Sequence, residues 1–184
     1  MKIIFATLSL LLAFPIAASA QEVKDGEALG HANRDVNHDG RPDRIELIQR
    51  EDEADLYIYL NGNAAPIIGR GIVGSYPTIG DPAHLRIANN GSIIVDSSHI
   101  GIGRDKYEAN TTIAYRNSQF VIAGYTISHW DSLDPEAGGH CDVNFLSGRA
   151  QFSKHNRNLT KRHQFRPIRI QNWDAYWDYS KVCK

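Results

Sequence analysis

Three times in this chain, two segments of alternating apolar residues meet at an asparagine-centred turn, and that recurrence limits the fold more than any other feature. TTIAYR (111–116) and QFVIAGYTI (119–127) flank Asn117-Ser118, HLRIA (84–88) and SIIVDSSHI (92–100) flank Asn89-Asn90-Gly91, and ADLYIYL (54–60) runs into Asn61-Gly62. Asparagine and glycine tolerate the positive φ that tight hairpins demand, so strands separated by them pair antiparallel. RIELIQR (44–50) sets Ile45, Leu47 and Gln49 against charged neighbours, and ADLYIYL sets Leu56, Ile58 and Leu60 against Tyr57 and Tyr59. Period-two alternation of this kind gives a sheet one core face. Further strands are expected over VNFLSGRAQF (143–152) and HQFRPIRIQ (163–171), with Pro167 confining the last to an edge or breaking it. Residues 69–80 and 131–139 read as turn-rich joints.

The tail reads differently. In NWDAYWDYSKV (172–182), Trp173, Tyr176 and Trp177 share an i, i+3, i+4 face, with Asn172 as N-cap and Asp174 in the first turn. The expectation is therefore a mainly β chain: one antiparallel β domain, meander or sandwich-like, with a short C-terminal helix.

The first twenty residues, MKIIFATLSLLLAFPIAASA, have a lysine, an apolar run and an Ala-Ser-Ala end. That is the order of a secretory signal peptide cleaved before Gln21, and it predicts a periplasmic or secreted protein. No later segment is apolar enough to predict a membrane span. Residues 21–184 then form the single β-rich domain. In an exported chain the two cysteines, Cys141 and Cys183, read as one disulfide. The formal charge of −1 moves to −2 once Lys2 is removed, and this near-neutral balance argues against nucleic acid as a partner.

DVNHDGRPD (35–43) places carboxylates and an amide at alternate positions, which costs energy unless a cation sits among them. Calcium takes six to eight oxygen ligands, and alternate side chains of a tight loop can all turn inward to supply them. Asp35, Asn37, Asp39 and Asp43 supply side chains, Gly40 allows the sharp turn, and Arg41 supplies its backbone carbonyl. The expected cofactor is one structural Ca²⁺. A solvated turn without an ion is the alternative that Asp-Gly and Pro-Asp dipeptides also favour.

DVNHDGRPDRIELI followed by LYIYLNGN resembles one FG-GAP/VCBS-type repeat, the calcium-loop unit of integrin-like propellers. The resemblance covers residues 30–63 and implies a D-x-[DN]-x-D-G-x-x-D loop, a strand, and a second strand ending at Asn-Gly. Propellers need several copies, and one is present, so a complete propeller is not expected.

Other candidates are weaker. His129-Trp130-Asp131 and His140-Cys141-Asp142 could offer two histidines and a carboxylate to zinc. Ser128-His129 offers a serine–histidine pair but no G-x-S-x-G elbow accompanies it. Asp131, Asp134 and Glu136 could serve glycoside cleavage, though nothing in the sequence sets their separation. Arg149, Lys154, Arg157, Lys161, Arg162, Arg166 and Arg169 form a basic stretch free of acidic residues. It could steer a protein or an anionic ligand, or it could keep an exposed edge soluble. The functional expectation is a non-catalytic, calcium-binding exported protein that acts by binding, as an inhibitor or immunity-type protein. The alternatives are a secreted hydrolase of cell wall or glycan, and a glycan-binding module using Trp130, Trp173 or Trp177.

Overall fold

Asn117 and Ser118, at φ 49° and 60°, close the longest hairpin of the molecule, β7 (Asp105–Arg116) with β8 (Gln119–Asp131). Positive φ at both central positions twists the turn to match the strands, which is why so short a connection suffices. The computed structural model describes residues 26–154 and 157–184, so the expected signal peptide lies outside the described residues.

Around this hairpin a seven-stranded antiparallel sheet is built in the order β11-β10-β9-β8-β7-β6-β5. Its other strands are β5 (His84–Ile87), β6 (Ile93–His99), β9 (Gly139–Asn144), β10 (Arg149–Lys154) and β11 (Arg157–Arg162). A four-stranded sheet takes the order β1-β2-β3-β4: β1 (Ala28–Arg34), β2 (Asp43–Arg50), β3 (Glu53–Tyr59) and β4 (Ile67–Gly74). Every neighbouring pair is antiparallel.

The two sheets share one core. Ile45, Leu47, Leu56 and Ile58 of the small sheet pack in the same cluster as Ile93, Val95, Ile113 and Val143 of the large one. Alternation sends the remaining residues outward. On the small sheet Ile48, Tyr57, Tyr59 and Ile68 form a second, external cluster. Beside it, buried Asp55 accepts from Arg50 Nε at 3.3 Å and Arg70 Nη1 at 3.0 Å. The outer face of the large sheet is polar: Asp96, Asn110, Thr126 and Asp142 fall in one cross-strand row, and Ser98, Glu108, Ser128 and His140 in the next.

The chain end departs from the sequence expectation. Residues 163–171 make no continuous strand; Ile122 N–H donates to the Ile168 carbonyl and a single bridge joins Val121 to Arg169. The expected helix is replaced by two 3-10 turns, Ile170–Asn172 and Tyr179–Lys181. Asp174 Oδ1 accepts from Tyr176 N–H and Asp178 Oδ1 from Ser180 N–H, so aspartate side chains take the donors that a helix would use. A helix this short is marginal without packing all along one face. Tyr176, expected on that face, is instead 60% exposed.

Residues 163–184 therefore act as a strap between the sheets. Ile170 is fully buried against β4, where a Cβ on Gly69 would lie 3.2 Å from the Ile170 Cβ. Trp177 and Tyr179 then pass over β8, and Cys183 joins Cys141 of β9 in the expected disulfide.

Candidate functional site

The register of β7 and β8 builds one wall of a cleft. Along the inner face, paired residues run from Thr111 and Tyr125 through Ala109 and Ile127 to Tyr107 and His129, ending at Asp105 and Asp131. The face thus changes from apolar to aromatic to charged toward the open end of the hairpin. Strap residues Ala175, Tyr176, Trp177 and Tyr179 cover it from one side, and Val73 and Gly74 close it from β4. The half-open cleft measures about 460 Å³, a size suited to a small molecule. Gly74 gives room to two phenols there: a Cβ would stand 2.9 Å from the Tyr76 hydroxyl and 3.0 Å from that of Tyr107.

Aromatic contacts stiffen the lining. Tyr125 meets Trp177 edge-on with centroids 5.6 Å apart, and His129 meets Tyr179 at 5.6 Å. Tyr76 exchanges side-chain hydrogen bonds with Tyr107 and Tyr176, clipping the strap to the loop after β4. Burial pushes the phenols of Tyr107 and Tyr179 up, and that of Tyr125 well above the usual tyrosine range. Burial also lowers the His129 imidazole, whose buried Nδ1 has no hydrogen-bond partner among the described residues. The walls are accordingly neutral at physiological pH.

The mouth is charged and pinned. Arg104 Nε donates to Asp131 Oδ2 at 2.5 Å, and Asp131 Oδ1 accepts from Leu133 and Asp134 N–H at 2.8 and 3.2 Å. The two backbone hydrogen bonds and the guanidinium, led by the Leu133 contact, hold the Asp131 carboxyl below its ordinary value. Buried Asp81 fixes the neighbouring loop by accepting from Ile100 and Gly101 N–H, both at 2.7 Å. Between these staples Ile100, Ile102, Trp130 and Leu133 stand exposed, Leu133 at 76%.

At the other end of the molecule lies the aspartate loop, between β1 and β2. Asp35 accepts from His38, Asp39 and Gly40 N–H. Asn37 Oδ1 accepts from Asp39 N–H, and Asp39 Oδ1 from Arg41 N–H. Asn61 of the Asn-Gly turn donates its Nδ2–H to Asp39 at 2.8 Å and its backbone N–H to Asp43 at 3.1 Å. Asp43 is 1% exposed and also accepts from Val36 N–H. Hydrogen bonds from Asn61 and then Asn37 lower the Asp39 carboxyl. Among the described residues no three His, Cys, Asp or Glu side chains are gathered closely enough to make a ready metal cage. The loop does offer hard oxygen donors of the kind calcium takes, with Gly40 at φ 85° making the turn.

The two histidine groups separate. His129 pairs with Gly139 and lines the cleft, whereas His140 pairs with Ser128 on the outer face, so one zinc ion cannot take both. Cys141 is oxidised. Ser128 Oγ lies 3.0 Å from His140 Nδ1 rather than beside His129. The basic stretch divides as well. Arg149 and Arg162 pair with each other, while Lys161 pairs with buried Ala150 on the opposite face and lies 5.5 Å over the Phe152 ring. Strand β11, with Arg157, Lys161 and Arg162, is exposed throughout at the sheet edge. Arg166 and Arg169 belong to the strap, and Lys154 ends β10.

Sequence reasoning named Trp130, Asp131, His129 and Trp177 but missed the cleft that joins them to Tyr107, Tyr125 and Tyr179. Extending the Asn117-Ser118 hairpin residue by residue would have put Tyr107 opposite His129. Trp173, one of the three candidate platforms, is buried. Comparison with family models, with curated proteins and with solved structures finds no match.

Proposed function

We propose that this chain is an exported, calcium-stabilised protein that works by binding, and that its ligand sits in the aromatic cleft under the strap. The cleft carries this reading: about 460 Å³ bounded by Tyr107, Tyr125, Trp177 and Tyr179, with a charged mouth. Pockets that hold small molecules combine apolar walls with a few placed polar groups in this way. Binding small ring compounds should perturb Trp177, and Ala175→Phe, which fills the cavity from the strap, should abolish it. Binding that survives this substitution would place the ligand elsewhere.

Calcium has a structural part in this reading. Asp35, Asn37, Asp39 and Asp43 would hold it with the Arg41 carbonyl, and the ion would neutralise carboxylates that now share N–H donors. Through Asn61 the loop reaches the far end of β3, so an ion there braces the first hairpin.

A protein partner, in the manner of an inhibitor or immunity-type protein, is the second reading. It is favoured by Ile100, Ile102 and Leu133, which polar staples hold out into water. Exposed apolar groups gathered on stapled loops mark interaction sites. A partner captured by the parent protein and released by Ile102→Asp with Leu133→Asp would support it; capture unchanged by both would remove it.

A further inference from the structure

The ligand class can be read from the mouth of the cleft together with its walls, on the premise that the cleft is the ligand site. Asp105 and Asp131 are direct cross-strand partners on the same face. Like charges placed opposite in a sheet are destabilising. Arg104 serves Asp131 alone in the hydrogen bonds it makes there. Lys106, which also lines the cleft, commits its Nζ–H to the Ile100 carbonyl at 2.7 Å. Asp105 is exposed at the entrance.

Deeper in, the walls are aromatic. Electron-rich rings of Tyr107, Tyr125, Trp177 and Tyr179 attract a cation over their faces, most strongly where water is excluded. The ionised groups that act on the phenols of Tyr76, Tyr107, Tyr176 and Tyr179 are Asp52, Glu53, Asp81 and Asp178, all carboxylates. No lysine or arginine is among them.

We infer that the cleft takes an organic ammonium ligand, its apolar body against the tyrosine and tryptophan rings and its positive group between those rings and the Asp105 carboxylate. An anionic ligand would meet the exposed Asp105 carboxylate at the mouth, where Arg104 is committed to Asp131 and Lys106 to the Ile100 carbonyl. A neutral ring would leave the Asp105 carboxylate without a counter-charge from the ligand.

The test uses the mature, oxidised protein in calcium, with choline and its neutral isostere 3,3-dimethylbutan-1-ol as paired probes and phenol as a neutral ring control. Calorimetry should find choline bound roughly tenfold more tightly than the isostere, the ratio expected of a partly desolvated cation–π site. Asp105→Asn should weaken choline several-fold and leave the isostere unchanged, while Ala175→Phe should abolish both. Equal binding of choline and its isostere, or binding of phenol alone, would overturn the ammonium assignment and leave the cleft as a ligand site. Failure of all three probes would overturn both.

Discussion

The indole Nε1–H of Trp173 donates to the carbonyl of Ile72 at 3.0 Å, across 101 positions of sequence. This bond fixes the strap to β4 at the point where the strap turns to roof the cleft. Trp173→Phe keeps a ring in the core and leaves a buried carbonyl without its donor, a loss of about 1–3 kcal/mol. Denaturant unfolding should register that loss, and hydrogen exchange should speed up over residues 173–183 before it does elsewhere. Unchanged exchange there would mean that the strap is held by other contacts.

The hairpins were legible because their turns are chemically explicit. Asn117-Ser118 and Asn89-Asn90-Gly91 announce positive φ, and the flanking alternation fixes which face is buried. Where turn and strand signals overlapped, the reading failed. Ile67–Gly74 is strand β4 although its three glycines suggested a joint. The segment 143–152, expected as one strand, is a hairpin that turns at Gly148, φ 74°, because Phe145, Ala150 and Phe152 are all buried and mimic one apolar run. Ala28–Arg34 has too few apolar residues to announce β1, and Arg157–Arg162 is an exposed edge with no core pattern to read. The aromatic spacing of the tail belongs to a strap that wraps two sheets, which local periodicity cannot distinguish from a helix. The cleft itself depends on that strap, so only its β7–β8 wall was open to inference.

Reducing the disulfide between Cys141 and Cys183 should free the strap end. Its 42-residue separation corresponds to about 4 kcal/mol by loop entropy, and Cys183→Ser with Cys141→Ser should lose an amount of that order. Ligand affinity should fall with it, since Tyr179 lies four residues from the tether. Stability lost with affinity retained would detach the roof from the site.

His129 predicts a pH dependence. Burial lowers its folded-state pKa below the ordinary 6.5, so the unfolded chain takes up a proton that the folded one resists. Above pH 6.5 both states are neutral there and the residue adds no slope. As pH falls through 6.5 toward the lower folded value, stability declines, and below that value the decline stops. His129→Gln should lack this component, so the difference in unfolding free energy between variant and parent should change between pH 7 and 5. A constant difference would contradict the assignment.

Calcium should raise the thermal midpoint relative to EDTA, with one ion per chain found by mass spectrometry. Asp39→Ala should lower the midpoint more in calcium than in EDTA, because it removes an ion ligand as well as the Asn61 contact. Equal losses in the two conditions would reduce residues 35–43 to a hydrogen-bonded turn.

The central claim, a ligand in the cleft, can be tested through the three tryptophans. Trp130 and Trp177 line the cavity, whereas Trp173 is buried beneath it with its N–H committed to Ile72. In a nitrogen-15 spectrum of the indole N–H groups, titration with choline should move the Trp177 and Trp130 signals saturably and the Trp173 signal least. If choline, its neutral isostere and phenol all leave the three signals in place, the cleft is not a binding site for molecules of this size and the proposed function fails.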